Sequence, residues 1–450
     1  MSYLSDIYDY IKKGETQSEN LGLEIEHFVV NESGVQITFD EISPLIEKVG
    51  KEIGADIIYV DGFPAGYSAD RYTITLEPAC QFEISINPYS DLSDIEKIYT
   101  DFLSLWEPLF EERGYRLITK GNLPLVECQM ITPDQIPLTP KKRYQCMDNY
   151  FRTSGKYGKY MMRASASTQV SIDYHSEDDL IRKLRVLQKI SPVLMIMMES
   201  KTRENTTLPG VNDRPHLLRI QEWDDLDPDR TGFYPGSLDP DFGYDKIADV
   251  VYHTPLILLT DNGVTTDVGH RCAEDLVLEQ ILPETITDDE RKTRLVEHFL
   301  SMGFFHFRIK KYIEIRVADS VPIKKALGYA ALLKGIVYSD RCLDILENML
   351  SSIDSLDKIQ EAILKIQAEG LDAVIYDNKT AAEWISTLIG LAEENLPEQE
   401  KEYLLYVRTF RPDIKKGNTD ERSLRGVFQP QYGAPQRLGT RFAGRYSGLY

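Results

Sequence analysis

Five glutamates in this 450-residue chain stand where carboxylates are uncommon. Glu24 and Glu26 lie in Leu23-Glu24-Ile25-Glu26-His27-Phe28-Val29-Val30, whose β-branched and aromatic residues read as a strand; alternation then turns both carboxylates to one face. Glu77 and Glu83 lie in 74–86, six positions apart and on one face of a second strand if the pleat runs through Pro78. Glu314 lies in 309–317, read as a third strand, with Arg308, Lys310 and Arg316 on its face by parity. Strands disfavour carboxylates unless something on that face needs them. Taken singly, each glutamate reads as a solvated residue or as the partner of a nearby Lys or Arg. Taken together, facing carboxylates repel and ask for hard cations. Mg²⁺ takes carboxylate oxygens and keeps its remaining positions for water and phosphate. Five ligands exceed the usual protein share of one ion, so two or three Mg²⁺ ions on an ATP polyphosphate fit the count, with Arg308, Lys310 and Arg316 as candidates to meet phosphate oxygens. No Walker A or GxGxxG motif supports a P-loop or Rossmann site.

The elements that must hold these residues follow from periodicity. Helices are expected over 40–53 and from Asp91 to Arg113, and Gln169 to Tyr174 alternates like a half-buried strand. Ser176 caps a helix with acidic first-turn residues that runs to about Ser200, with Pro192 as a kink or break. Residues 204–245, rich in Asp, Pro and Gly, read as a long ordered loop of the kind that carries function. Helical patterns fill 322–352, 355–368, 379–395 and 397–410. Strands first and helices later imply an α+β fold: a curved, largely antiparallel sheet with the site on one face, wrapped by helices.

Composition sets further bounds. The chain is 42% hydrophobic with a net charge of −21, which argues against nucleic acid or an anionic membrane as a partner. No apolar run reaches the roughly 18 residues of a spanning helix, and no signal peptide opens the sequence. Five scattered cysteines form no disulfide framework or CxxC zinc pattern, and a cytoplasmic location is expected. The segment 415–450 differs from the rest: seven Lys/Arg against Asp420 and Glu421 give it a local charge of +5, and it holds six glycines. It reads as a basic tail on a single catalytic domain spanning 1–414: flexible, a lid, or an arm that contacts a protein partner or the chain itself.

Four stretches resemble the glutamate–cysteine ligases of the plant and proteobacterial type, within the glutamine-synthetase-like superfamily of carboxylate–amine ligases. Leu23-Glu24-Ile25-Glu26-His27 is similar to the family's first metal-binding strand. Leu76-Glu77-Pro78-Ala79-Cys80-Gln81-Phe82-Glu83 resembles its LEPGGQFE motif. Trp223-Asp224-Asp225-Leu226-Asp227-Pro228-Asp229-Arg230-Thr231-Gly232 resembles its WTDTDPDRTG substrate loop, and 311–319 its KRYLEMRGAD strand. Weaker likeness covers 140–144 and 161–173, so the resemblance extends over 20–330. It implies that Glu24, Glu26, Glu77, Glu83 and Glu314 hold Mg²⁺, and that Arg143, Arg219, Trp223 and Arg230 line the amino-acid pocket, with Gln169 as a further pocket residue. Arg316 would approach the transferring γ-phosphoryl group. For Arg219 and Trp223 a surface ion pair and a loop anchor are the structural alternatives. The implied reaction phosphorylates the γ-carboxylate of glutamate with ATP and joins it to cysteine.

Three departures leave the acceptor open. Ala79-Cys80 replaces two glycines, Val317-Ala318-Asp319-Ser320-Val321-Pro322 stands where the family has GADGGP, and Arg163 is displaced by one position. A related ligase for another amine, and a non-catalytic homologue docking through its tail, are the alternatives. The tail has no recognised family counterpart.

Overall fold

Alternation in strand β1 (Leu21–Asn31) separates core from site: Leu23, Ile25, His27 and Val29 are buried in the core, while Glu24 and Glu26 point to the other face. The structure, a computed structural model, describes residues 3–202 and 206–408. The other strands are β2 (Asp56–Val60), β3 (Phe63–Ser68), β4 (Tyr72–Leu76), β5 (Phe82–Tyr89), β6 (Tyr115–Ile118), β7 (Ser167–Ile172), β8 (Thr231–Gly232), β9 (Ile257–Asp261), β10 (Val264–Gly269), β11 (Phe304–Phe305), β12 (Phe307–Ile309) and β13 (Ile313–Asp319). Among the described residues, nine of these form one sheet in the order β12-β13-β7-β1-β5-β4-β3-β2, with β6 pairing the far end of β1. Every pairing in it is antiparallel. The expected α+β class with an antiparallel sheet is what the chain adopts.

The core face is aromatic where the helix Leu92–Glu111 covers it. Phe82 meets Trp106 edge-on at 4.6 Å and Phe110 at 5.5 Å, and His27 stacks on Tyr99. Asp91 caps this helix by accepting from the Ser93 N–H at 2.8 Å. The early helix is Phe39–Glu52, and Ser176 caps Glu177–Met197 through the Asp179 N–H. That helix runs unbroken through Pro192. Proline leaves the Gln188 carbonyl without its usual N–H, and the Ser191 hydroxyl donates to it at 2.8 Å instead.

Several expected boundaries are corrected. Residues 74–86 are a hairpin, not one strand: Pro78 offers no N–H, Glu77 N–H donates to the Gln81 carbonyl, and Cys80 turns the chain with φ of 61°. Residues 309–317 are likewise a hairpin, closed by Lys310 N–H to the Tyr312 carbonyl, so Arg308 shares a face with Glu314 because the two are cross-strand partners. Within 204–245 lie a helix, Leu218–Asp224, and the short β8, which pairs in parallel with β11. The span 322–352 is two helices, Ile323–Val337 and Asp340–Met349, with Ser339 capping the second; 397–410 begins as the 3₁₀ segment Glu398–Tyr406. The segment 415–450 lies outside the described residues.

Cys80 occupies a left-handed position that glycine takes without steric cost, at about 1–2 kcal/mol for other residues. Its side chain is buried against Thr139, which offsets part of that cost. Cys80→Gly is therefore expected to leave unfolding free energy within about 1 kcal/mol of wild type, whereas the β-branched Cys80→Val costs about 2 kcal/mol or more, read by urea denaturation.

Candidate active site

The carboxylates meet because the register brings them together. Glu26 on β1 stands directly opposite Glu83 on β5, and Glu24 is opposite Ser85 on one side and Gln169 of β7 on the other. Like charges in direct cross-strand register are destabilising unless something between them compensates. Glu77 enters from the β4–β5 turn, and Glu314 from β13, which is itself paired with β7. All five line one cavity of about 430 Å³ on this face of the sheet.

Their surroundings divide them into three kinds. Glu314, 1% exposed, is enclosed by cations: Oε1 accepts from Lys310 at 2.8 Å, and Oε2 from Arg308 at 2.6 Å and Arg316 at 3.1 Å. Burial pushes its carboxyl up, but Arg308, Lys310 and Arg316 outweigh burial and hold it well below the usual carboxylate range. Glu26 is met by neutral donors, the Ser167 N–H at 2.7 Å, the Ser167 hydroxyl at 2.9 Å and Gln169 Nε2 at 3.3 Å. Among the described residues, Glu83 accepts only from the Thr75 and Ser85 hydroxyls. Among the described residues, no group donates a hydrogen bond or ion pair to the carboxylates of Glu24 or Glu77. Burial, then Glu83 and Glu314, pushes Glu24 up to about 8. Burial, then Glu26, raises Glu77 to about 7, and burial with Glu77 raises Glu83 to about 8.

A folded-state value raised above the ordinary 4.5 makes stability complete below that value and lost as pH rises through the folded one. Metal-free protein is therefore expected to lose melting temperature as pH rises through 7 to 8, and saturating Mg²⁺ to flatten that fall. A chelated sample whose melting temperature stays level across this window would refute the account.

The predicted basic and polar residues also gather here. Arg143, Gln169, Arg219, Trp223, Arg308, Lys310 and Arg316 line the same cavity. Arg316 donates to Gln169 Oε1 at 2.6 Å and lies over the Trp223 ring at 5.8 Å, while Arg219 donates to the Arg316 carbonyl at 2.8 Å. The Trp223 indole N–H is buried and without a partner among the described residues, and Phe304 packs edge-on against that ring.

Arg230 is the exception. It is fully buried away from the cavity, with Nε on Asp227 at 2.8 Å and Nη1 on the carbonyls of Pro255 and Met302. Its motif made it read as a substrate residue; its guanidinium instead donates to Asp227, Tyr150 and the carbonyls of Pro255 and Met302, bracing the segment whose β8 pairs with β11 beside Phe304. Sequence reasoning missed Gln81, Tyr144, Met147, Met161, Ser167, Ser301 and Phe304 on the wall. Gln81 was visible within the Glu77 motif. Phe304 carried no signal, since it reaches the cavity through the two-residue β8–β11 pairing, and Ser301 carried none at the end of the helix Asp289–Ser301. The three departures from the family pattern lie off the wall: Ala79, Cys80, Ser320 and Val321 are buried elsewhere, and Arg163 pairs with Asp148.

An antiparallel sheet presenting buried carboxylates on one face, faced by arginines and an aromatic wall, defines a site for highly charged small molecules. The sequence model for glutamate-cysteine ligase family 2 matches residues 20–440, and the chain belongs to that family. The match reaches well past residue 330 and into the basic segment, which therefore has a family counterpart as far as 440. Glutamate–cysteine ligase B, chloroplastic, of Oryza sativa is 25% identical over 438 residues, covering 95% of this chain and 84% of that protein. The chloroplastic glutamate–cysteine ligase of Brassica juncea is 24% identical, covering 95% and 81%. A glutamate–cysteine ligase of Francisella tularensis solved in complex with AMP shares the fold, with a TM-score of 0.51 at 12% identity over 93% of this chain and 86% of that one. Among the described residues, no helix is long and apolar enough to cross a membrane.

Proposed function

We propose that the protein phosphorylates the γ-carboxylate of L-glutamate with ATP and couples the acyl phosphate to the amine of L-cysteine. One observation carries this: Glu24, Glu77 and Glu83 crowd one cavity with no ion pair among the described residues, beside Glu314 locked to three cations. Family membership supplies the reaction class, and the names of the relatives support cysteine as the acceptor. That the departing residues lie off the cavity wall favours cysteine over another amine.

The donor set fits Mg²⁺. Its carboxylates are hard oxygen ligands, and those of Glu24 and Glu77 have no protein donor. Among the described residues, no three His, Cys, Asp or Glu side chains already converge as a ligand set. Glu24, Glu26, Glu77 and Glu83 would hold the ions, with Glu314 joining when phosphate oxygens take over its cations. Bound Mg²⁺ would supply charge neutralisation on the polyphosphate.

The chain's own residues do the rest. Arg308, Lys310 and Arg316 present guanidinium and ammonium groups to the transferring phosphoryl group, which passes from ATP to the glutamate carboxylate as ADP leaves. Arg219 and Arg143 suit the α-carboxylate of glutamate. The acceptor amine then attacks the acyl carbon, inorganic phosphate departs, and the nitrogen sheds a proton. Trp223, Phe304, Met147 and Met161 keep water from the acyl phosphate. Positioning and charge neutralisation carry the rate, and no nucleophilic side chain is needed.

ADP release measured with glutamate and a panel of amines at saturating Mg²⁺ tests the reading: turnover is expected with cysteine above all others. Silence with every amine would overturn it. We also propose a cytoplasmic location and a docking or lid role for 415–450. Deleting that segment separates a lid, which loses turnover, from an arm, which loses only association.

A further inference from the structure

The helix Leu218–Asp224 has two working faces. Arg219 and Trp223, four residues apart, look into the active-site cavity. Gln221 and Asp224 line a second cavity of about 240 Å³, which no residue of the candidate active site reaches. Gln221 is 6% exposed, and its Nε2 donates to the carbonyls of Arg214 at 3.0 Å and His216 at 2.7 Å. Two carbonyl partners fix which end of the amide is nitrogen. The other end, Oε1, is buried and has no hydrogen-bond partner among the described residues, and the same holds for Asp224 Oδ2. Buried acceptors left unmet are costly, so both call for N–H donors.

The cavity also holds cations. Arg214 lines it, with one guanidinium nitrogen donating to Gln367 Oε1 at 3.2 Å, and Lys156 lines it beside Asp225, which accepts from the Lys156 backbone N–H. Gln360, Leu364 and Gln367 form one face of the helix Leu356–Glu369 at i, i+4, i+7 spacing and close the cavity with amides and a short apolar surface. Unmet acceptors together with a guanidinium and an ammonium complement a zwitterion: an ammonium has three donors for the former, and a carboxylate accepts from the latter. The volume falls below the roughly 300–1,000 Å³ of drug-sized sites, which suits one small ligand.

We infer that this cavity is an effector site for a free α-amino acid, set on the back of the helix that carries Arg219 and Trp223. The site stands apart from the ligase reading, because nothing in it depends on turnover.

The test uses the full chain without nucleotide. L-α-amino acids are titrated one by one, each beside its N-acetyl and amide derivatives, by calorimetry and hydrogen–deuterium exchange. At least one amino acid is expected to bind and to protect 211–225 and 356–367. Blocking either terminus of the ligand, or the substitution Arg214→Ala, should weaken binding about tenfold or more, as loss of a charge-assisted hydrogen bond does. Gln360→Ala, at a half-buried position that carries no charge, serves as the variant less able to disturb folding and should weaken binding in the same direction. Protection confined to the sheet face, binding indifferent to both substitutions, or no binding across the panel would each overturn the inference and leave a water-filled cavity. None of these outcomes bears on ADP release.

Discussion

Glu314→Gln is expected to abolish turnover and to lower unfolding free energy by about 3–5 kcal/mol, the usual cost of removing one partner from a buried ion cluster. The wild-type carboxylate is ionised at neutral pH, since its folded value is depressed; that contribution is complete above the ordinary range and lost only as pH falls through the folded value. An amide of the same shape leaves Arg308, Lys310 and Arg316 facing one another around a neutral group. Glu24→Gln provides the contrast. Glu24 has no ion-pair partner among the described residues and a value raised to about 8, so at neutral pH the metal-free fold must hold it protonated, a cost the amide avoids. Its melting temperature without Mg²⁺ should hold or rise while turnover and Mg²⁺-induced stabilisation fall. Denaturation and turnover measured on both variants check the pair. Equal stability losses would mean that the five glutamates are equivalent, against the division seen in the structure.

That division was only half legible in the sequence. The period-2 pattern of β1 put Glu24 and Glu26 on one face, and the core-facing Leu23, Ile25 and His27 show why it worked: one buried face fixes register. The same argument reached Glu77, Glu83 and Glu314 by a route the structure replaces. Parity across 74–86 and 309–317 presumed continuous strands, whereas Pro78 with Cys80, and Lys310 with Tyr312, fold each stretch back on itself. Lys310-Lys311-Tyr312 holds no Gly, Asn or Pro, so turn chemistry gave no warning. Cross-strand pairing then delivered the shared face that parity had assigned. Arg230 marks the opposite failure: a motif states that a residue matters, and only burial states whether it touches ligand or holds the loop. Phe304 was beyond reach because a two-residue parallel pairing has too little periodicity to read.

Arg316→Lys is expected to lower kcat by about 10²–10³, with a smaller change in the KM for glutamate, and Arg316→Ala to lower it further. Arg316 lies where three components meet. Nη1 bridges Glu314 Oε2 and Gln169 Oε1, the guanidinium lies over Trp223, and the backbone carbonyl takes the Arg219 side chain. The carboxylate cluster, the aromatic wall and the arginine suited to the amino acid are thus fixed relative to one another through this one residue. Lysine keeps the charge and can still pair with Glu314, so stability should change by less than in Glu314→Gln. It lacks the planar fork that serves two acceptors while stacking on an indole, and it offers a phosphoryl group one point charge where arginine offers two parallel donors. A residue that only braced the fold would change melting temperature and kcat together and be rescued by lysine. One that meets the transferring phosphoryl group loses kcat in the lysine variant while the fold stays intact. Steady-state kinetics beside thermal denaturation separate the two, and a lysine variant within about twofold of wild-type kcat would assign Arg316 to bracing alone.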